Sequence, residues 1–111
     1  MTTDQSQVEQ VLTALADPTR RRLLDRLAAH GEATATVLAT ELPVSRQAVV
    51  KHLALLNQTG LVTGRKEGRE MRYTVCPRPL DATALWMRQI AHQWDVRLAA
   101  IKQLAETGSD H

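Results

Sequence analysis

Apolar spacing switches from the helical period to alternation at Gly60, then back again beyond two prolines, and few folds accommodate that order. Val8, Val11, Leu12 and Leu15 fall three or four apart, which predicts a first helix over residues 5–15. Asp17-Pro18 follows: Asp is a good N-cap and Pro suits the first helical position. Leu23, Leu24 and Leu27 give a second helix its buried face, and it ends at His30-Gly31, where glycine takes the C′ conformation. Thr34 caps a short third helix carrying Val37, Leu38 and Ala39 inward. That helix stops at Leu42-Pro43, because a residue before proline avoids the helical region. Ser45 caps a fourth helix with Val49, Leu53 and Leu56 on its core face, ended by Gly60. Two short helices joined by a few residues are the helix-turn-helix pattern.

Beyond Gly60 the period is two. Leu61–Lys66 and Glu70–Val75 are expected as short strands, with Met71, Tyr73 and Val75 on one face and Glu67-Gly68-Arg69 as the turn. Cys76-Pro77-Arg78-Pro79 is expected as a stiff connector. The last helix starts at Asp81 or a neighbour and carries the stripe Trp86, Ile90, Trp94, Leu98, Ile101 and Ala105; the tail from Thr107 is polar and expected to fray. The fold class is therefore mainly α with a two-stranded β-hairpin wing, a winged helix-turn-helix. At 111 residues the chain is expected to be one domain, 1–111, with its core over about 8–105.

Charge is unevenly placed. Residues 1–41 carry four arginines against six acids, residues 42–78 seven basic residues against Glu67 and Glu70, and residues 79–111 three basic residues against four acids. A basic middle between acidic flanks is either a polyanion-binding face or a solvated surface. The lone Cys76 offers no internal disulfide, the polar start lacks a signal-peptide core, and no run reaches the length of a membrane span. A cytoplasmic protein without a membrane partner is expected.

The second helix of such a motif enters the major groove and presents its first residues to base edges. With Val49 and Leu53 inward, Arg46, Gln47 and Val50 face out. Arginine pairs with guanine, glutamine with adenine, and an aliphatic group touches a thymine methyl. Lys51 and Ser45 are better placed for phosphates. On the hairpin, Arg65, Lys66, Arg69 and Arg72 can meet the DNA backbone or minor groove, or can simply be a charged strand edge. Arg20, Arg21 and Arg22 open the second helix against its dipole, which leaves phosphate contact or pairing with Asp17 or Asp25 as their purpose.

Ala14-Leu15-Ala16-Asp17-Pro18-Thr19-Arg20-Arg21-Arg22-Leu23-Leu24, Ser45-Arg46-Gln47-Ala48-Val49-Val50-Lys51-His52-Leu53, Gly60-Leu61-Val62 and Glu67-Gly68-Arg69-Glu70-Met71-Arg72-Tyr73 together resemble the ArsR family of winged-helix repressors. The resemblance runs over about residues 8–105. It implies double-stranded DNA as partner, an imperfect palindrome near the protein's own promoter, and a small-molecule inducer or its loss as the release signal. It adds His52 to the DNA-binding set. It also implies a homodimer built from the first and last helices (the latter over about 81–105), with Val8, Val11, Leu12, Trp86, Ile90, Trp94, Leu98 and Ile101 at the interface. The stripe on the last helix is larger than so short a chain needs for its own core, which agrees.

The departures are informative. Metal-sensing members often carry a Cys-x-Cys site on the third helix, where this chain has Glu41-Leu42-Pro43-Val44. On the last helix His92 and Asp95 lie three apart with no second histidine, and transition metals need three or four ligands. No cofactor or metal is expected, although a subunit-bridging site would leave a metal-responsive repressor open. Trp86 and Trp94-Asp95-Val96-Arg97-Leu98 resemble a non-metal branch whose genes often adjoin START-like hydrophobe-binding proteins. The serine frequent before the Lys-His pair is Val50 here, which removes a phosphate donor. Cys76 is either a small, partly buried hydrophobe or an oxidant sensor. An enzyme is not expected: the histidines are scattered and no phosphate loop or nucleophile elbow is present. A winged-helix interaction module without DNA binding is the remaining alternative, and the basic middle counts against it.

Overall fold

The structure, a computed structural model, describes residues 2–109, with side chains over 5–107. Its elements run α1 (Thr2–Ala16), α2 (Pro18–His30), β1 (Ala33–Thr34), α3 (Ala35–Glu41), α4 (Arg46–Gln58), β2 (Val62–Glu67), β3 (Glu70–Val75) and α5 (Arg78–Ser109). Local chemistry sets most of these limits. Asp17 Oδ1 accepts from the backbone N–H of Thr19 at 2.8 Å and of Arg20 at 3.3 Å, and Pro18 starts α2. Gly31 ends it at φ 78°, ψ −49°, donating to the carbonyls of Leu27 and Ala28. Thr34 Oγ1 accepts from Val37 N–H at 3.2 Å to open α3, and Ser45 Oγ accepts from Ala48 N–H at 3.1 Å to open α4.

The core gathers Val11 and Ala14 of α1, Leu23, Leu24 and Leu27 of α2, Leu38 of α3, and Val49, Leu53 and Leu56 of α4. Leu61 and Val62 close it from the sheet side, with Tyr73, Val75 and Leu80 packed against it. Within α3 the inward pair is Ala35 and Leu38; Val37, expected inward, is exposed, because α3 meets the core on the face one turn of Ala35 and Leu38 defines.

The sheet has three strands, not the two of the expected hairpin, in the order β1-β3-β2, all antiparallel. β1 is only Ala33–Thr34, paired to Tyr73 and Arg72. Two residues carry no readable periodicity, so this strand has no sequence signal of its own. α5 begins at Arg78, inside the expected connector. Pro79 falls in its first turn, where a missing N–H costs nothing, and Asp81 N–H already donates to Pro77 O at 3.0 Å. The helix runs on to Ser109, past the expected fraying point, with Thr107 Oγ1 donating to Gln103 O at 2.9 Å.

α5 packs on α1, and among the described residues its buried and half-buried positions all precede residue 91. Val8 and Val11, expected at a subunit interface, are 3% and 0% exposed and belong to the protomer's interior. Trp86 and Ile90 are half-buried, and the same helical face is uncovered from Trp94 onward. The radius of gyration is 20.0 Å, against roughly 13 Å for a compact chain of this length.

Candidate nucleic-acid interface

α4 is held from behind by Val49, Leu53 and Leu56, all fully buried, which turns Arg46, Gln47, Val50 and Lys51 outward. Ala54 continues that outward stripe by one turn. A groove-sized convex face results, carrying a fork of donors, an amide and an aliphatic tip, the three chemistries that distinguish base pairs in the major groove. Arg46 Nε donates to Thr36 Oγ1 of α3 at 3.1 Å, which orients the guanidinium at the start of α4. Ser45, expected at a phosphate, is exposed and accepts the cap bond from Ala48 N–H, which leaves its hydroxyl proton to donate outward. His52 is half-buried and turned toward α2, with Nδ1 3.5 Å from Arg20 Nη1.

The arginines that open α2 are mostly explained inside the molecule. Arg20 Nε donates to Ala14 O at 2.8 Å, Nη2 donates to Thr13 O at 3.3 Å, and Nη1 lies 3.5 Å from Asp17 Oδ2. Arg21 Nη1 donates to Leu15 O. Cations unfavourable for the start of α2 therefore complete the carbonyl end of α1, where the dipole favours them. Partial burial pushes the Asp17 carboxyl up. The backbone N–H groups of Arg20 and Thr19 and the Arg20 guanidinium outweigh that and hold its pKa below the ordinary 3.8.

The hairpin sorts its charges by face. Cross-strand pairs alternate between Thr63–Thr74, Arg65–Arg72 and Glu67–Glu70 on one side, and Val62–Val75, Gly64–Tyr73 and Lys66–Met71 on the other. On the first side, Arg65 Nη2 reaches both carboxylate oxygens of Glu32 at 3.0 Å, and its Nη1 meets Glu67 at 2.9 Å. Arg72 lies 3.4 Å from Glu67, 3.5 Å from Glu70 and 4.0 Å from Glu32. Lys66 and Arg69 show no carboxylate partner among the described residues. Glu32 escaped the sequence reading, because only the β1–β3 pairing brings it beside the wing.

Cys76 is half-buried, with Sγ 2.6 Å from Thr63 Oγ1, at an open cleft lined by Gln7, Gly60, Pro77 and Pro79. Among the described residues no three His, Cys, Asp or Glu side chains gather as a metal would require, His92 and Asp95 included. No described helix is long and apolar enough to cross a membrane.

Four helices around a buried apolar core, one of them turning Arg46 and Lys51 outward, and a β-hairpin beside that helix define a winged helix-turn-helix protein. A helix-turn-helix domain family matches residues 15–65. The chain is similar to the HTH-type transcriptional regulator Rv2034 of Mycobacterium tuberculosis, 38% identical over 97 residues, 87% of each protein. The transcriptional repressor SdpR of Bacillus subtilis is 29% identical over 85 residues, 77% of this chain and 93% of that protein. The solved structure of an ArsR-like transcriptional regulator from Rhodococcus sp. RHA1 superposes with a TM-score of 0.86 at 44% identity, covering 96% of this chain and 97% of that one. The chain belongs to the ArsR family of transcriptional regulators.

Proposed function

We propose that the protein is a repressor that binds a palindromic operator as a homodimer, each copy laying α4 into the major groove. The observation that carries this reading is the outward face of α4, where Arg46, Gln47, Val50 and Lys51 stand clear of a rigid apolar backing. In this reading Arg46 and Gln47 read base edges, Val50 meets a thymine methyl, and Lys51 contacts phosphate. Ser45 caps α4 and donates its hydroxyl proton to phosphate, and His52 acts from behind, through Arg20. The wing adds backbone contacts from its tip, Lys66 and Arg69.

Homodimerisation is supported by α5. Trp94, Leu98, Ile101 and Leu104 are 60–72% exposed on one face. Burying them would yield roughly 1–2 kcal/mol each. Eight such side chains across two copies supply on the order of 8–16 kcal/mol, comparable to the 4–15 kcal/mol that association costs. Two copies joined there would carry their α4 helices about 34 Å apart, one turn of duplex.

The test is a mobility shift on the DNA upstream of the protein's own coding sequence, read at two salt concentrations. Specific binding that weakens steeply with salt is expected. Arg46→Ala and Gln47→Ala should each lose about 1–3 kcal/mol of discrimination and leave random-sequence binding nearly intact. Equal loss on both DNAs would remove α4 as the reading element, and no shift at any salt would leave an interaction module.

A further inference from the structure

Arg65 and Arg72 stand directly opposite each other in the β2–β3 ladder, and so do Glu67 and Glu70. Like charges in that position repel. The arrangement holds because the two pairs share partners: Glu67 lies between both arginines, and Arg72 lies between Glu67 and Glu70. Glu32 completes it from outside the hairpin. It precedes β1, whose Thr34 pairs with Arg72, and the strand alternation carries Glu32 to the same side of the sheet. Arg72 Nε is shielded from solvent without a well-formed hydrogen bond, although Glu67 lies close, so this arginine is already committed to the cluster. Three carboxylates face two guanidiniums, and the cluster as a whole is not cationic.

We propose that Glu32 and Glu67 brace Arg65 and Arg72 against the β1 edge and away from the nucleic acid, so that the wing's phosphate contacts fall to Lys66 and Arg69. Glu32 is then a positioning residue. It fixes the tilt of the wing relative to α2 and α4, and it withholds two cations that would otherwise bind any duplex regardless of sequence. The four wing cations expected to act together divide into an internal pair and a DNA-facing pair. This rests on the DNA binding proposed above.

The experiment measures binding to a random-sequence duplex across a salt series, using the full chain. Lys66→Gln and Arg69→Gln should each lower the slope of log affinity against log salt by about one unit. Arg65→Gln and Arg72→Gln should leave the slope unchanged, and the double variant Glu32→Gln/Glu67→Gln should raise it by at least about one unit, because it takes both carboxylates from Arg65. A loss of slope in Arg65→Gln equal to that in Arg69→Gln overturns the proposal. Thermal melting without DNA supplies the second arm. Glu32→Gln and Arg65→Gln should each lower Tm, and their double variant should lower it by clearly less than the sum of the two, because both single changes break the Glu32–Arg65 contact. Additive losses overturn the brace itself. A wild-type protein that ignores duplex at every salt would instead overturn the DNA-binding reading and the role of the tip with it.

Discussion

Arg20 holds three helices with one side chain. Its guanidinium takes up the last carbonyls of α1, sits beside the Asp17 cap of α2 and lies against His52 of α4, while only 15% of it meets solvent. Arg20→Ala should cost about 2–3 kcal/mol, since charged hydrogen bonds contribute about 1.5–3 kcal/mol and the freed carbonyls are partly sheltered. Chemical denaturation would show it, and a loss below about 0.5 kcal/mol would mean the contacts are incidental. Asp17 gives a pH signature. Its folded pKa is depressed, so its contribution is present above the ordinary 3.8 and fades as pH falls through the folded value. Asp17→Asn should therefore flatten the acid limb of stability as pH falls from the ordinary 3.8 through the folded value. Denaturation midpoints taken across the acid range would check it; an unchanged limb would mean that other carboxylates dominate. The Asp17-Pro18 cap was legible because it depends on neighbours in sequence. Pairing of Arg20 with Asp17 was open to reading for the same reason, but its contacts with the α1 carbonyls and His52 were not, because they depend on how α1 and α4 meet α2.

Helices declared themselves through caps and spacing, and their observed ends fall within a few residues of expectation. The sheet was legible only where alternation ran for several residues. β1 is too short for that, and its effect is felt through Glu32, which nothing local marks. Pro79 misled for a related reason: proline forbids a helix interior but suits a first turn, and composition does not say which applies. Gly64 offers a test at this scale. A Cβ there would come within 2.8 Å of the Met71 methyl and 3.0 Å of the Tyr73 ring. The methyl can swing aside, but Tyr73 packs against the core. Gly64→Ala should destabilise by about 1–3 kcal/mol through overpacking and tilt the wing. An unchanged urea midpoint would show that the ring yields freely. Ser45→Ala should cost about 1 kcal/mol as the α4 cap is lost, and circular dichroism melting would report it.

At the scale of the whole molecule, shape and surface agree. The extents are 75 × 31 × 20 Å, and the excess length belongs to α5, whose outer half carries apolar side chains left largely exposed among the described residues. Leu98→Asp should shift sedimentation toward the monomer by at least about tenfold in Kd, with little change in the core, because Leu98 lies outside it and is 60% exposed. A wild-type protein that sediments as a monomer at every concentration would remove the dimer. The sequence showed the stripe on α5. It could not show where cover by α1 ends, which depends on how two distant helices cross.

The length of α5 also makes it a lever. Its 32 residues reach about 48 Å, so a tilt of about ten degrees at its root sweeps the far end through about 8 Å. Two copies fastened near those ends would turn small adjustments of the joint into large changes in the gap between their reading heads. In a dimer joined in that way, a modest rearrangement around Pro77 and Pro79 would put both heads out of step with the pitch of the double helix.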